Sequence, residues 1–99
     1  MARIGNIHPG EVLREDFLIP LGMSPYALAR GLGISATAVG DILSGKRSIT
    51  PATALRLQRF FGAEPEFWLN LQAMYDLEEE RNRLAEKLEA IKPCELVTG

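Results

Sequence analysis

Four prolines set the frame of this 99-residue chain: Pro9, Pro25, Pro51 and Pro65 each head a run of helix-spaced apolar residues. Proline lacks a backbone N–H and holds φ near −65°, so it suits the first turn of a helix, where N–H groups have no intrahelical partner anyway. Two of the four follow a hydroxyl residue that can accept from those free N–H groups, Ser24 before Pro25 and Thr50 before Pro51. Glycines close the runs: Gly22, then Gly31 or Gly33, then Gly45 and Gly62 sit where a left-handed, helix-ending residue is expected. Starts and stops at this density cut the chain into short helices joined by tight turns.

The first run, Glu11 to Leu18, places Leu13, Phe17 and Val12 on one helical face, and Pro20 with Gly22 is expected to stop it. The second presents Leu28 and Leu32. Ser35 opens the third, Ala36 to Leu43, with Val39, Ile42 and Leu43 facing inward. The fourth, Ala52 to Phe61, repeats Ala54, Leu57 and Phe61 at helical spacing, flanked by Leu55 or Phe60. Glu64-Pro65 starts the fifth, which carries Phe67, Trp68, Leu71, Met74 and Tyr75. No stretch alternates with period two, so no strand is expected. From Asp76 the pattern changes: Leu77, Leu84, Leu88 and Ile91 fit the a and d positions of short heptads interrupted by Arg81, as a continuation of helix five or a separate helix. Lys92 to Gly99 is expected to be poorly ordered. The fold expected is all-α: a five-helix domain over residues 5–77, then an acidic helical extension and tail over 78–99.

Composition fits one small domain. Apolar residues at 46% suffice for a single core, and a charged fraction of 24% argues against wholesale disorder. No apolar run approaches the roughly 20 residues that span a bilayer, and Met1 to Gly10 has no signal-peptide core, so a cytoplasmic location is expected. Cys94 is the only cysteine, which rules out an intrachain disulfide. The net charge of −2 conceals an asymmetry: residues 1–62 carry seven Lys/Arg against four Asp/Glu, and residues 63–99 carry four against nine. A basic half suited to phosphate and an acidic half facing elsewhere follow from that split.

The informative unit lies between Met23 and Gly45. Two short helices crossing steeply need a small residue at closest approach, which Ala29 supplies, and a turn residue free of steric penalty, which Gly33 supplies. Ile34 plugs the corner while Val39 and Ile42 anchor the second helix. That leaves Ser35, Ala36, Thr37, Gly40 and Asp41 pointing outward, with Ser24 at the head of the first helix. In a helix-turn-helix the second helix enters the major groove with its N-terminal residues leading. Lys46-Arg47 follows it directly, placed to meet phosphate. Arg30, Arg56 and Arg59 either extend this basic face or are solvated helix charges.

Other features carry less. His8 with Glu11 is too few ligands for a metal and is read as a polar contact at the start of helix one. No catalytic constellation gathers around Cys94, and neither enzymatic activity nor a cofactor is expected. Phe67-Trp68-Leu69 is read as core or dimer contact rather than a base-stacking platform, and Glu78-Glu79-Glu80 as a solvated face rather than a nucleic-acid mimic. One helix-turn-helix reads only a few base pairs, so a two-fold partner is expected, joined through Trp68 and Leu71 or through the heptads at Leu77 and Leu84.

Four segments carry a family resemblance: His8-Pro9-Gly10-Glu11-Val12-Leu13, Pro20-Leu21-Gly22-Met23-Ser24, Leu43-Ser44-Gly45-Lys46-Arg47-Ser48-Ile49-Thr50-Pro51 and Pro65-Glu66-Phe67-Trp68-Leu69-Asn70-Leu71-Gln72. Together they resemble the HigA-type antitoxins of the Xre, phage-repressor-like helix-turn-helix class. The resemblance implies a homodimer on a palindromic operator in its own promoter, and a cognate toxin, usually a small ribonuclease, neutralised by complex formation. Where family members commonly carry polar or basic residues, this chain has Ala36, Ala38, Gly40 and Asp41. Readout through Ser35 and Thr37 hydroxyls, small apolar contacts to thymine methyls and one carboxylate is what remains on the helix. Asp41 there faces two opposite outcomes, acceptance from a cytosine amino group or repulsion by phosphate. A solitary regulator of the same fold, and a helical interaction module without DNA binding, are the competing readings.

Overall fold

The computed structural model describes residues 5–95, and among these every regular element is helical. Helix α1 begins at Pro9 behind a cap made by His8, whose Nδ1 accepts from the Gly10 N–H at 2.9 Å. It runs as an α-helical turn (Pro9–Val12), a π-helical segment (Leu13–Leu18) and a final turn (Ile19–Leu21). Pro20 therefore lies inside the helix rather than stopping it. The physical reason is the widened turn ahead of it: proline cannot donate to the carbonyl four residues back and its ring crowds that group, and the π segment, with Ile19 N–H donating to the Arg14 carbonyl, opens the backbone there. A wider turn also aligns residues five apart, so Leu18 joins Leu13 in the core where ordinary helical spacing does not place it. Gly22, at φ +61°, ends the helix.

Helices α2 (Pro25–Leu32) and α3 (Ala36–Leu43) form the predicted pair. Ser24 and Ser35 cap them by accepting from Ala27 and Ala38 N–H groups, each at 3.0 Å. Gly33 makes the turn at φ +72°, so it and not Gly31 ends α2. Ala29, Val39 and Ile42 are buried, and Ile34 packs half-buried against them. Helix α4 (Pro51–Phe61) starts on the Thr50 cap and ends at Gly62. Helix α5 (Pro65–Arg83) is the longest at 19 residues, and its first turn has no side-chain cap from Glu64. The expected boundary at 77/78 falls inside α5, which breaks only at Leu84 before the short α6 (Ala85–Glu89).

Helix α2 packs on α3 and α4, α4 on α5, and α1 bridges α3 and α5. The core they enclose is built from Leu13, Leu18, Leu28, Leu32, Val39, Ile42, Ile49, Leu57 and Trp68. Each large side chain taken fully out of water contributes about 1.5–3 kcal/mol before conformational entropy is charged against it. Trp68, expected among the dimer contacts, is fully buried inside the protomer. Its ring meets Phe17 at 5.1 Å and Phe67 at 4.9 Å, so it is the centre of an aromatic cluster and has no surface to offer a partner. Beyond this core the molecule extends to 54 Å along one axis against 24 Å across. Leu77, Leu88 and Ile91 are exposed on the projecting part of α5, on α6 and just past it. Of the expected C-terminal tail, residues 92–95 are irregular and 96–99 lie outside the described residues.

Candidate nucleic-acid interface

One serine cap fixes the start of each helix of the pair, and three contacts from other elements fix where the pair ends. The first is steric. Gly10 lies against the Ile42 carbonyl so closely that a Cβ there would collide with backbone, so α1 can seat on the end of α3 only with glycine at this position. The second is a hydrogen bond from α4: Arg56 Nη1 donates to the Leu32 carbonyl at 2.6 Å, satisfying a free acceptor at the end of α2. One N–H of the Arg56 guanidinium is thereby engaged at the turn, while the residue stays exposed. The third comes from α5, where buried Gln72 accepts from the Ile49 N–H at 2.8 Å and donates to Asp76 at 2.9 Å. Ile49 itself is buried, so this bond pins the segment that leaves α3.

That segment carries the basic pair. Gly45 turns it at φ +83° with the His8 side chain alongside, and the Lys46 and Arg47 N–H groups donate to the Asp41 carbonyl at 2.8 and 3.1 Å. Lys46 and Arg47 project into solvent beside α3. The Arg47 guanidinium also meets the Asp41 carboxylate at 3.4 Å.

Of the residues proposed to read DNA, Ser24, Ser35, Ala36, Thr37, Gly40, Lys46 and Arg47 are exposed and Asp41 is half-exposed. The structure brings Ser35 through Asp41 onto one helix with the basic pair at its end. The oxygens of Ser24 and Ser35 are engaged as caps, which leaves their O–H protons to donate outward. A Cβ at Gly40 would meet nothing within 4 Å, so no neighbouring helix explains glycine there. Among the proposed dimer residues other than Trp68, Leu71 packs half-buried against the core, Leu84 is half-buried and Leu77 is exposed.

Sequence reasoning missed the support residues Gly10, Arg56 and Gln72. Gln72 alone left a readable signal, standing one helical turn after Trp68 and so on its inward face. His8 proves to be a helix cap with an edge-on contact to Tyr75 at 4.8 Å, and burial holds its imidazole below the usual 6.5 against the opposing pull of Asp76.

Residues 13–68 match the helix-turn-helix family. Over 84 residues the chain is 38% identical to antitoxin HigA-1 of Vibrio cholerae, covering 85% of this chain and 79% of that one. The chain belongs to the HigA antitoxins. The Coxiella burnetii addiction-module antidote protein of the HigA family superposes with a TM-score of 0.85 at 46% identity, over 92% of this chain and all of that one. The Pseudomonas aeruginosa antitoxin HigA, solved with the higBA promoter, gives 0.87 at 41% identity over 90% and 98%. This HigA chain thus has the fold of its relatives, in a family that is not a class of enzymes. Among the described residues, no helix is long and apolar enough to cross a membrane.

Proposed function

We propose that this HigA-type chain represses its own operon as a homodimer, through Ser24, Ser35, Ala36, Thr37, Gly40, Asp41, Lys46 and Arg47, and neutralises a small ribonuclease toxin by complex formation. The observation that carries the DNA-binding reading is the exposed edge of α3 continuing into a basic pair whose backbone is pinned from behind by Gln72 and by the Asp41 carbonyl. A backbone held this way presents its cations without first ordering a loop, which lowers the cost of binding. The relative solved with promoter DNA supports DNA binding as the activity. Exposed Leu77, Leu88 and Ile91, with half-buried Leu84, support the projecting extension as the dimer seam.

A gel-shift titration against the DNA upstream of its own gene tests the reading. Lys46→Ala with Arg47→Ala is expected to weaken binding on all sequences, by roughly tenfold or more at moderate salt. The slope of log K against log salt becomes shallower by about 1.8, the value for two lost phosphate contacts. Unchanged binding by the double variant refutes the assignment. Co-expression with the product of the neighbouring reading frame supplies the toxin arm: growth restored by this chain is expected, and no rescue refutes neutralisation.

A further inference from the structure

Asp41 is the feature of the interface that a simple phosphate-binding surface does not explain. It is the sole acidic residue on α3, it lies on the outward side, and its carboxylate holds the guanidinium of Arg47 at 3.4 Å. Both side chains are substantially solvated, with 35% of Asp41 and 53% of Arg47 exposed, so the pair itself adds little to stability. Its effect falls on binding instead. A carboxylate beside the duplex repels phosphate, and while it holds Arg47 it removes one of the two cations of the loop from the protein's positive edge. On any DNA lacking a partner for Asp41, that penalty stands. A base edge that donates into the major groove, the N4 amino group of cytosine, gives the carboxylate a hydrogen bond and lets Arg47 turn to phosphate.

We infer that Asp41 and Arg47 form a specificity latch: Asp41 suppresses binding to non-operator DNA by retaining Arg47, and releases it where the operator half-site presents a cytosine amino group. The inference rests on α3 being the recognition helix. It differs from a direct-contact role because it assigns Asp41 an effect on DNA it never touches. The carbonyl of Asp41 already fixes the backbone of Lys46 and Arg47, so a side-chain substitution leaves the loop in place.

The experiment uses the full chain and Asp41→Asn, compared on the upstream DNA and on a scrambled duplex of the same length, and then by selection from a random duplex pool. Asp41→Asn is expected to tighten binding to the scrambled duplex several-fold, with a salt slope steeper by up to about 0.9 as Arg47 gains a phosphate. The preference for upstream over scrambled DNA falls about tenfold, and the selected half-site loses one cytosine position. Equal tightening on both duplexes with an unchanged selected site, or no change on either, overturns the latch. In those cases wild-type binding that still depends on Lys46 leaves the interface itself standing; a wild-type chain that binds no duplex at low salt overturns both.

Discussion

Gln72→Leu probes the contact that ties the basic loop to the rest of the protein. Gln72 is 6% exposed, and its Oε1 is the acceptor for the buried Ile49 N–H at 2.8 Å. Leucine has a similar volume but no acceptor, so the Ile49 N–H is left buried and unpaired, at a cost of about 1–3 kcal/mol. The added apolar carbon returns roughly 0.8 kcal/mol. Loss of the half-buried bond from Nε2 to Asp76 adds about 0.5 kcal/mol to the cost. The net expectation is a destabilisation of about 0.7–2.7 kcal/mol, read as a fall in Tm of roughly 3–22 °C for a domain this small. Circular dichroism melts at fixed pH and concentration measure it. The same variant is expected to lose DNA affinity beyond what unfolding explains, because Ile49 lies two residues past Arg47 and the freed segment must be ordered on binding. Asp76→Asn, which disturbs only the outer end of the contact, is expected to shift Tm by no more than a degree or two. A Gln72→Leu variant as stable as wild type refutes the argument, since it means the Ile49 N–H reaches another acceptor.

Two further outcomes follow from the same geometry. Gly40→Ala is expected to stabilise the fold by about 0.5–1 kcal/mol, since glycine in a helix is disfavoured and a Cβ here meets nothing in the protomer, while weakening operator binding through lost close approach; a melt and a gel shift on one preparation check both signs. His8 is held below its ordinary 6.5 by burial, so the unfolded chain binds more protons than the folded one in acid, and stability is full above pH 6.5 and declines as pH falls below it towards the folded value. Denaturant midpoints across pH 5–8 report the decline, and His8→Asn, which keeps a cap acceptor but does not titrate, flattens it.

How far the sequence could be read depended on whether the cause was local. Caps, turns and the steep helix pair are decided within a few residues, and Ser24, Ser35, Thr50 and Gly33 act as their neighbours predict. Leu18 lies off the face that a single helical period predicts, because the turn opened ahead of Pro20 changes the local period. Arg56, Gly10 and Gln72 are hidden for a different reason. Their partners lie 23 to 32 positions away, and a charge, a glycine and an amide look the same in sequence whether solvated or committed to a distant backbone atom. Trp68 is apolar contact as its spacing predicts, and it closes inside the protomer because Phe17 from a distant helix meets its ring.

The three supports share a property that bears on how such an interface changes its target. Gly10, Arg56 and Gln72 all act on backbone atoms: the Ile42 carbonyl, the Leu32 carbonyl and the Ile49 N–H. Backbone partners are insensitive to which side chains α3 carries, so the outward face can vary without loosening the frame that aims it. Ala36, Thr37 and Gly40 are exposed, so substitutions there are expected to alter contacts to DNA while leaving the core untouched. Asp41 departs from this separation, because its side chain also engages the basic loop. On the proposed interface, a change at Asp41 is therefore expected to alter general affinity and sequence preference together, and changes at Ala36 or Thr37 to act on preference. Retargeting this protein to a new operator is accordingly expected to succeed through Ala36 and Thr37 with Asp41 retained, and to yield indiscriminate binders when Asp41 is replaced by a neutral or basic residue.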